Sequence, residues 1–301
     1  MDSKLGTLPK VGMWTDGFDS VPIGAARDLV AELESLGIEA IWIPEMVGRD
    51  PFVHLAMLLS ATEKMIGATG IASIWARDSI ATSCAANALA EAFPHRVLIG
   101  LGVSHQSVVA GMRGHDYSRP LAAMRAYLEG IAGAPYSAAP PTAPPRYLLA
   151  ALRPKMLELA GTRTAGAHSY LVTPTHTAGA RERLGAGQLL CPEQTVVVES
   201  DPSKARTIAR RFLSVYLSQP NYVNNILEIG FDHDDLSDGG SDRLVDELVF
   251  WGDVERVLGR VDEHLQAGAD HVALQVLSET PGQVPMRVWR ELATALPDVG
   301  R

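Results

Sequence analysis

The sequence predicts an α/β protein folded as a closed (β/α)8 TIM barrel. Three observations carry this. Eight short apolar segments alternate with stretches of helical spacing, and repeated β–α alternation means a parallel sheet. The best defined of them, Ile66–Ile74, is a continuous run of apolar and small residues with no polar alternation, as a strand covered on both faces requires. The chain has 301 residues, 47% of them hydrophobic, enough to fill one barrel of ordinary length, about 250 residues.

In chain order, Val11–Trp14 is the first strand. Ser20 and Pro22 signal a helix start, Ala26, Leu29, Val30, Leu33 and Leu36 follow at helical spacing, and Gly37 stops it. Ile38–Ile43 is strand two and ends at Pro44-Glu45. Pro51 opens a helix with Leu55, Ala56 and Leu59 inward. After strand three, Asp78 or Ser79 can cap the next helix, because a short side-chain oxygen accepts from an orphan first-turn N–H. Pro94 and His95 end it, and Val97–Gly102 is strand four.

Ser118 and Pro120 start a helix with Leu121, Met124, Leu128 and Ile131 on one face. The proline-rich Gly133–Pro145 can propagate neither helix nor ladder and reads as an extended loop. Arg146–Leu152 is strand five, with a helix opening at Pro154. His168–Val172 is strand six, followed by a short helix near Ala178–Leu184. Leu189–Val198 is strand seven, and Asp201-Pro202 caps a helix to about Leu217. Asn221–Trp251 is polar, acidic and irregular, with room for two short helices. Val254–Ala267 is amphipathic, His271–Val276 is strand eight, and Pro285–Ala295 is the final helix.

Composition narrows the function. A net charge of −9 and a pI near 5.5 give no general electrostatic drive toward nucleic acid or an anionic membrane. No apolar run reaches the ~18–20 residues of a membrane span. The opening MDSKLGTLPK lacks the apolar core of a secretory signal. Cys84 and Cys191 read as two separate thiols rather than a disulfide or metal pair. The expectation is a soluble, cytoplasmic protein.

In such a barrel the residues just past each strand share one rim, where chemistry usually sits. The rim holds Thr15 and Asp16, Glu45, Ser73, Ile74, Trp75 and Arg77, Ser104 and His105, Arg153, Thr173, Thr175 and His176, and Gln275. His105 could protonate or orient a substrate near neutral pH; its bland reading is a hydrogen-bonded loop histidine. Glu45 could hydrogen-bond a cofactor ring or act as a base, or simply cap a helix. Gly70 inside a buried strand marks a bulge or a close backbone approach. Gly100-Leu-Gly102 invites a dinucleotide fingerprint, but His105 stands at the third glycine position and no helix begins there. The Asp232–Asp242 stretch fails the EF-hand spacing, since Leu236 occupies a ligand position, so no metal is expected.

IEAIWIPE (38–45), GIASIWARD (70–78), AEAFPHRVLIGLGVSH (90–105), RPLAAMRAYL (119–128), RYLLAALRPKMLELAG (146–161), AHSYLVTPTHT (167–177) and GADHVALQVL (268–277) together resemble the bacterial luciferase-like flavin and deazaflavin oxidoreductases. Among these, the chain is most similar to the actinobacterial-type branch that uses coenzyme F420, a deazaflavin. An excess of 21 arginines over five lysines fits the GC-rich genomes where that coenzyme is common.

The resemblance implies one luciferase-like barrel over residues 1–301, with an insertion at about 218–252 between strands seven and eight. It implies a non-proline cis peptide at Gly70–Ile71, with Gly70, Ile71 and Ala72 backing the cofactor ring, Glu45 touching the ring, His105 beside its reactive carbon and Ser104 among the cofactor-binding residues. Backbone N–H groups of the turn Ala151, Leu152, Arg153, Lys155 and Met156 would hold the cofactor phosphate at a helix N-terminus, with Thr173 and His176 nearby. That turn reads ALRPK where several relatives are glycine-rich, which limits close backbone approach. Trp14, Trp75 and Arg77 are candidates for the substrate pocket.

The implied activity is hydride transfer between F420 and a small organic substrate, with His105 or Glu45 moving the proton. The alternatives are an FMN-dependent monooxygenase and a non-catalytic flavin-binding barrel. A homodimer through the helices beside strands two and three is also implied, using the apolar face Leu55–Leu59 and the small-residue helix Ala81–Ala92.

Overall fold

A computed structural model describes residues 8–296 together with 299. Most of the opening segment read for a secretory signal, residues 1–7, lies outside the described residues. Parallel strands run in the order expected of a barrel. β1 (Val11–Trp14), β2 (Ala40–Ile43), β3 (Ile66–Ser73), β4 (Val97–Gly102), β5 (Arg146–Ala150) and β6 (Gly166–His168) pair successively. β7 (Leu189–Leu190), β8 (Glu193–Val198), β9 (Val249–Gly252) and β10 (Val272–Val276) complete the sheet, and β10 pairs back onto β1.

The expected seventh strand is interrupted at Pro192, which cannot donate to a ladder. Its lower half still closes the ring. Cys191 and Glu193 donate backbone N–H groups to Ala167 and Ser169 on one side, while Leu190 and Pro192 accept from Asp270 and Ala273 on the other.

The helices α1 (Ile23–Ser35), α2 (Pro51–Leu59), α3 (Ser79–Ala92), α4 (Pro120–Ala132), α5 (Pro154–Arg163), α6 (Pro174–Leu184), α7 (Pro202–Tyr216), α8 (Pro220–Glu228), α9 (Asp242–Leu248), α10 (Val254–Gln266) and α11 (Met286–Ala295) fill the connections and the tail. Their starts obey the side-chain rules. Asp50 caps α2, Asp78 caps α3, Asp201 caps α7 and Asp253 caps α10. A large apolar cluster lies between helices and sheet. A smaller one fills the barrel itself around Trp14, Trp42, Leu98 and Leu148, with small Ala40, Ala68 and Ala273 giving the indoles room.

One strand and one helix differ from the expectation. Strand six is Gly166–His168, not His168–Val172, because Leu171 adopts φ +56° and turns the chain out of the ladder. α6 starts at Pro174 rather than near Ala178; Thr173 is its cap, accepting from the His176 N–H.

The early stop of β6 has a consequence in the segment expected to be irregular. It leaves the upper edge of β8 without a neighbour, and β9 pairs there, Thr195 opposite Val249 through Val198 opposite Gly252. The segment 221–251 therefore contains α8, a 3-10 turn (Asp234–Gly239) and α9, and ends in a strand. Its own apolar cluster includes Tyr222, Ile226, Leu244 and Leu248. Asp235 of the acidic run accepts from the Asp232 N–H, the Ser241 hydroxyl and the Arg243 guanidinium, so it organises this loop.

Candidate active site

The site is built on an irregularity in β3. Thr69 pairs with Ile99 and Ala72 with Leu101, so Gly70 and Ile71 together face the single residue Gly100. The Gly70–Ile71 peptide is cis. Each surrounding glycine makes space for this bulge. A Cβ at Gly100 would fall well inside contact distance of the Thr69 carbonyl oxygen, and one at Gly102 would collide with the Ile71 side chain. A Cβ at Gly70 would come to 2.6 Å from Trp14 Nε1. The Gly-Leu-Gly run that mimics a nucleotide fingerprint is thus the floor on which the bulge rests.

Three hydrogen bonds pin the bulge. Trp14 Nε1 donates to the Gly70 carbonyl at 3.0 Å, and the Thr69 hydroxyl donates to the Gly100 carbonyl at 2.7 Å. The Glu45 N–H donates to the Ile71 carbonyl at 3.1 Å. Ile71 is the one residue of β3 that is not fully buried, so the bulge surfaces on the rim side.

The Glu45 carboxylate closes the arrangement from above. It accepts from the Ser73 N–H at 2.7 Å and from both terminal nitrogens of Arg77 at 2.9 and 2.7 Å. Arg77 also bonds Asp50 at 2.8 Å and lies over the Phe52 ring. Burial pulls on the Arg77 guanidinium, yet Glu45 and Asp50 hold its pKa above the usual value. A bidentate pair with a third donor fixes the carboxylate's position. Trp75 is turned sideways, its Nε1 donating to the Val103 carbonyl at 2.9 Å, and packs near His115 and Tyr117.

Beyond β4 the chain turns sharply, Ser104 taking φ +55° while its carbonyl accepts from the Tyr117 hydroxyl at 2.7 Å. This presents His105. Its Nδ1 lies 3.2 Å from Asn221 Oδ1, and its ring packs 5.5 Å from that of Tyr222. Burial lowers the His105 pKa below its ordinary 6.5, with the Asn221 bond opposing.

Both partners come from α8, in the segment expected to be irregular. Tyr222 continues an aromatic wall through Tyr216 and Tyr170 to Trp14, whose indole holds the bulge. The Tyr170 hydroxyl lies 2.9 Å from that of Tyr216 and donates to Gln275 at 2.7 Å. Burial keeps Tyr170, Tyr216 and Tyr222 protonated.

Below this wall Glu193 is wholly buried. It accepts from the Leu171 N–H and the Thr195 hydroxyl, and burial raises its pKa to about 8. His168 stacks on Trp42 with ring centroids 4.4 Å apart, and burial lowers its pKa to about 4. Asn225, one helical turn beyond Asn221, is 2% exposed, and its Nδ2 has no hydrogen-bond partner among the described residues. Glu193 and the tyrosines left no motif in the sequence. The apolar spacing Tyr222, Ile226, Ile229 was the available signal for α8.

The residues expected to form a phosphate turn lie together as a second group. No side chain caps α5; Ala151, Leu152 and Arg153 lead into it, and Lys155 and Met156 lie in its first turn. His176 Nε2 bonds the Leu152 carbonyl at 2.7 Å, its Nδ1 has no partner among the described residues, and burial lowers its pKa. Arg153 is paired with Glu228, the last residue of α8. One helix therefore touches His105 at its first turn and Arg153 at its last.

A model of the family described as luciferase-like monooxygenase matches residues 5–271. The chain belongs to that family. One relative of this luciferase-like chain, from Mycobacterium tuberculosis (strain ATCC 25618 / H37Rv), carries the provisional name of a coenzyme F420-dependent oxidoreductase. The two are 31% identical over 120 residues, 40% of this chain and 35% of that protein's length.

Solved structures share the fold at low identity. An F420-dependent secondary alcohol dehydrogenase in complex with an F420-acetone adduct superposes with a TM-score of 0.76 at 13% identity, over 97% of this chain and 99% of the other. The coenzyme F420-dependent tetrahydromethanopterin reductase of Methanopyrus kandleri gives 0.76 at 16%, with the same coverage. The oxygenating constituent of 3,6-diketocamphane monooxygenase of Pseudomonas putida, in complex with FMN, gives 0.71 at 15%, over 97% and 98%. The barrel and the family that the sequence resembled are those found.

Proposed function

We propose that this protein is an F420-dependent oxidoreductase acting on a small organic substrate. The observation that carries it is the Gly70–Ile71 bulge, which surfaces on the rim of a closed barrel between a fixed carboxylate and an imidazole. The residues fit the coenzyme. Ile71 offers an apolar platform for a flat ring, and the buried Asn225 Nδ2, which has no partner among the described residues, is a donor that a ring or substrate oxygen could take up. The uncapped start of α5, with Arg153 and Lys155, suits a phosphate once Arg153 exchanges its Glu228 partner.

When bound, the deazaflavin supplies the hydride chemistry. The chain's own residues do the rest. Trp14 and Glu45 hold the bulge, Arg77 holds Glu45, and the tyrosine wall excludes water. His105 is the group placed to exchange a proton with the substrate, since Glu45 is committed to three donors. Titrating the purified protein with F420 and with FMN, read by fluorescence, should give tighter binding of F420. Tighter binding of FMN, with oxygen consumption when reduced FMN is supplied, would favour the monooxygenase reading instead.

A homodimer and a cytosolic location complete the reading. Leu55, Leu58 and Leu59 are 0% exposed and pack under β3, so they are not the dimer face. The outward face carries Val53 (52% exposed) and Met57 (39%) on α2, with Met46 (58%), Val47 (81%) and Ile80 (49%) beside it. Single exposed apolar residues are ordinary, but five on adjoining segments form a patch suited to a second copy. The double substitution Val53→Glu, Met57→Glu should convert a dimer to a monomer in sedimentation equilibrium; a monomeric unmodified protein would end this proposal. The cytosolic placement rests on Cys84 and Cys191, both free thiols.

A further inference from the structure

α8 does more than cover the barrel mouth. Its far end is tied to the β5–α5 turn by the Glu228–Arg153 pair, and Tyr222 is wedged among Tyr170, Tyr216 and the His105 ring. Asn221 is therefore presented to His105 by a helix held at both ends. The contact is Asn221 Oδ1 to His105 Nδ1, 3.2 Å. An amide oxygen can only accept, so the imidazole must donate from Nδ1. The other ring nitrogen, Nε2, has no hydrogen-bond partner among the described residues and is not enclosed. In an imidazole the bond made at one nitrogen decides which proton the other carries.

We propose that Asn221 is a positioning residue that holds His105 in the tautomer protonated at Nδ1, so that Nε2 offers the site an open lone pair. This rests on the reading of His105 as the group that exchanges the substrate's proton. It makes the segment between β8 and β9 part of the proton-transfer apparatus. Burial and Asn221 are the two influences on His105, and no charged side chain is among them. The titratable groups seen beside it are the phenols of Tyr222 on α8, which packs against the ring, and Tyr117, which bonds the neighbouring Ser104 carbonyl.

Long-range proton–nitrogen NMR of the full-length 15N-labelled protein, with the His105 signals assigned by loss in His105→Gln, reads the tautomer with no cofactor present. The unmodified protein should show Nδ1–H at neutral pH. Asn221→Ala should shift the population toward Nε2–H. Asn221→Asp keeps an acceptor and adds a negative charge, so it should retain Nδ1–H and raise the His105 pKa. With F420 and a turned-over substrate, Asn221→Ala should lower kcat by roughly tenfold with KM little changed, and Asn221→Asp should recover part of it. An Nε2–H tautomer in the unmodified protein, or an unchanged tautomer in Asn221→Ala, would overturn the proposal. Preference for FMN in the titration overturns the F420 reading alone and leaves the tautomer result standing.

Discussion

A single methyl group added at Gly100 should disable the site more thoroughly than the loss of any one rim side chain. The Cβ of Gly100→Ala would be driven into the Thr69 carbonyl, which is backbone and cannot swing away. The same Cβ would come to 3.2 Å from Ile71 Cγ2, so the bulge itself must move or β4 must withdraw. Both strands are fully packed at this level, with Ile99 and Leu101 buried on either side of the glycine. Overpacking of a close-packed interior costs typically 1–3 kcal/mol, and a clash against backbone belongs at or above the top of that range.

Gly100→Ala is thus expected to lower stability by about 3 kcal/mol in urea unfolding and to abolish deazaflavin binding. The control is Gly259→Ala in α10, where nothing lies within 4 Å of the added atom. There the exchange should stabilise by up to about 1 kcal/mol through helix propensity. Equal behaviour of the two variants would show that the close approach of β3 and β4 has no energetic consequence.

The contrast marks what could be read from the sequence. The central β3–α3–β4 unit was legible because its strands are buried on both faces and its glycines stand where backbones approach. Periodicity and composition report such features directly. Glu45, Arg77 and His105 were legible as members of a rim, since strand ends in a parallel barrel converge. What they bond was not. Arg77 could have faced solvent, and only packing beside Phe52 and Asp50 turns it onto Glu45.

The segment 221–251 was least legible, for a physical reason. Its charges are paired across elements, Asp235 with Arg243 inside the segment and Asp246 with Arg206 of α7, so it reads as a solvated loop although it folds. β9 is four residues long and exists because β6 stops at His168, a long-range circumstance with no local signature. Asn221 therefore escaped notice, although it is the residue in contact with the leading candidate. The glycine run 100–102 shows the converse ambiguity, because a tight backbone contact and a phosphate loop select the same residue; His105 at the third glycine position and the lack of a helix start there excluded the phosphate loop.

His105→Gln is expected to reduce turnover by roughly 10²–10⁴-fold, the usual contribution of a positioned acid or base. Coenzyme affinity should stay within a few fold, since the bulge, Glu45 and the α5 turn are untouched. The sign of the pH dependence follows from burial. His105 sits below its ordinary 6.5, so it is neutral at pH 7 and above. If it accepts the substrate's proton, kcat/KM should be level through neutral pH and fall as the pH drops below 6.5 through the depressed pKa. If it donates, the rate should instead rise over that interval.

The acid limb has a competitor in the fold itself. His168 and His271 are buried with pKa values near 4, and His264 with one near 3, so each gives stability that is present above 6.5 and lost as the pH falls. Thermal unfolding at each pH separates the two effects: a change in rate at constant folded fraction belongs to His105. In Glu45→Gln the amide would keep one acceptor for Ser73 while losing the paired charge on Arg77, so coenzyme binding should weaken before the pH profile moves. A profile that vanishes in Glu45→Gln but survives in His105→Gln would transfer the proton-exchange role to the carboxylate.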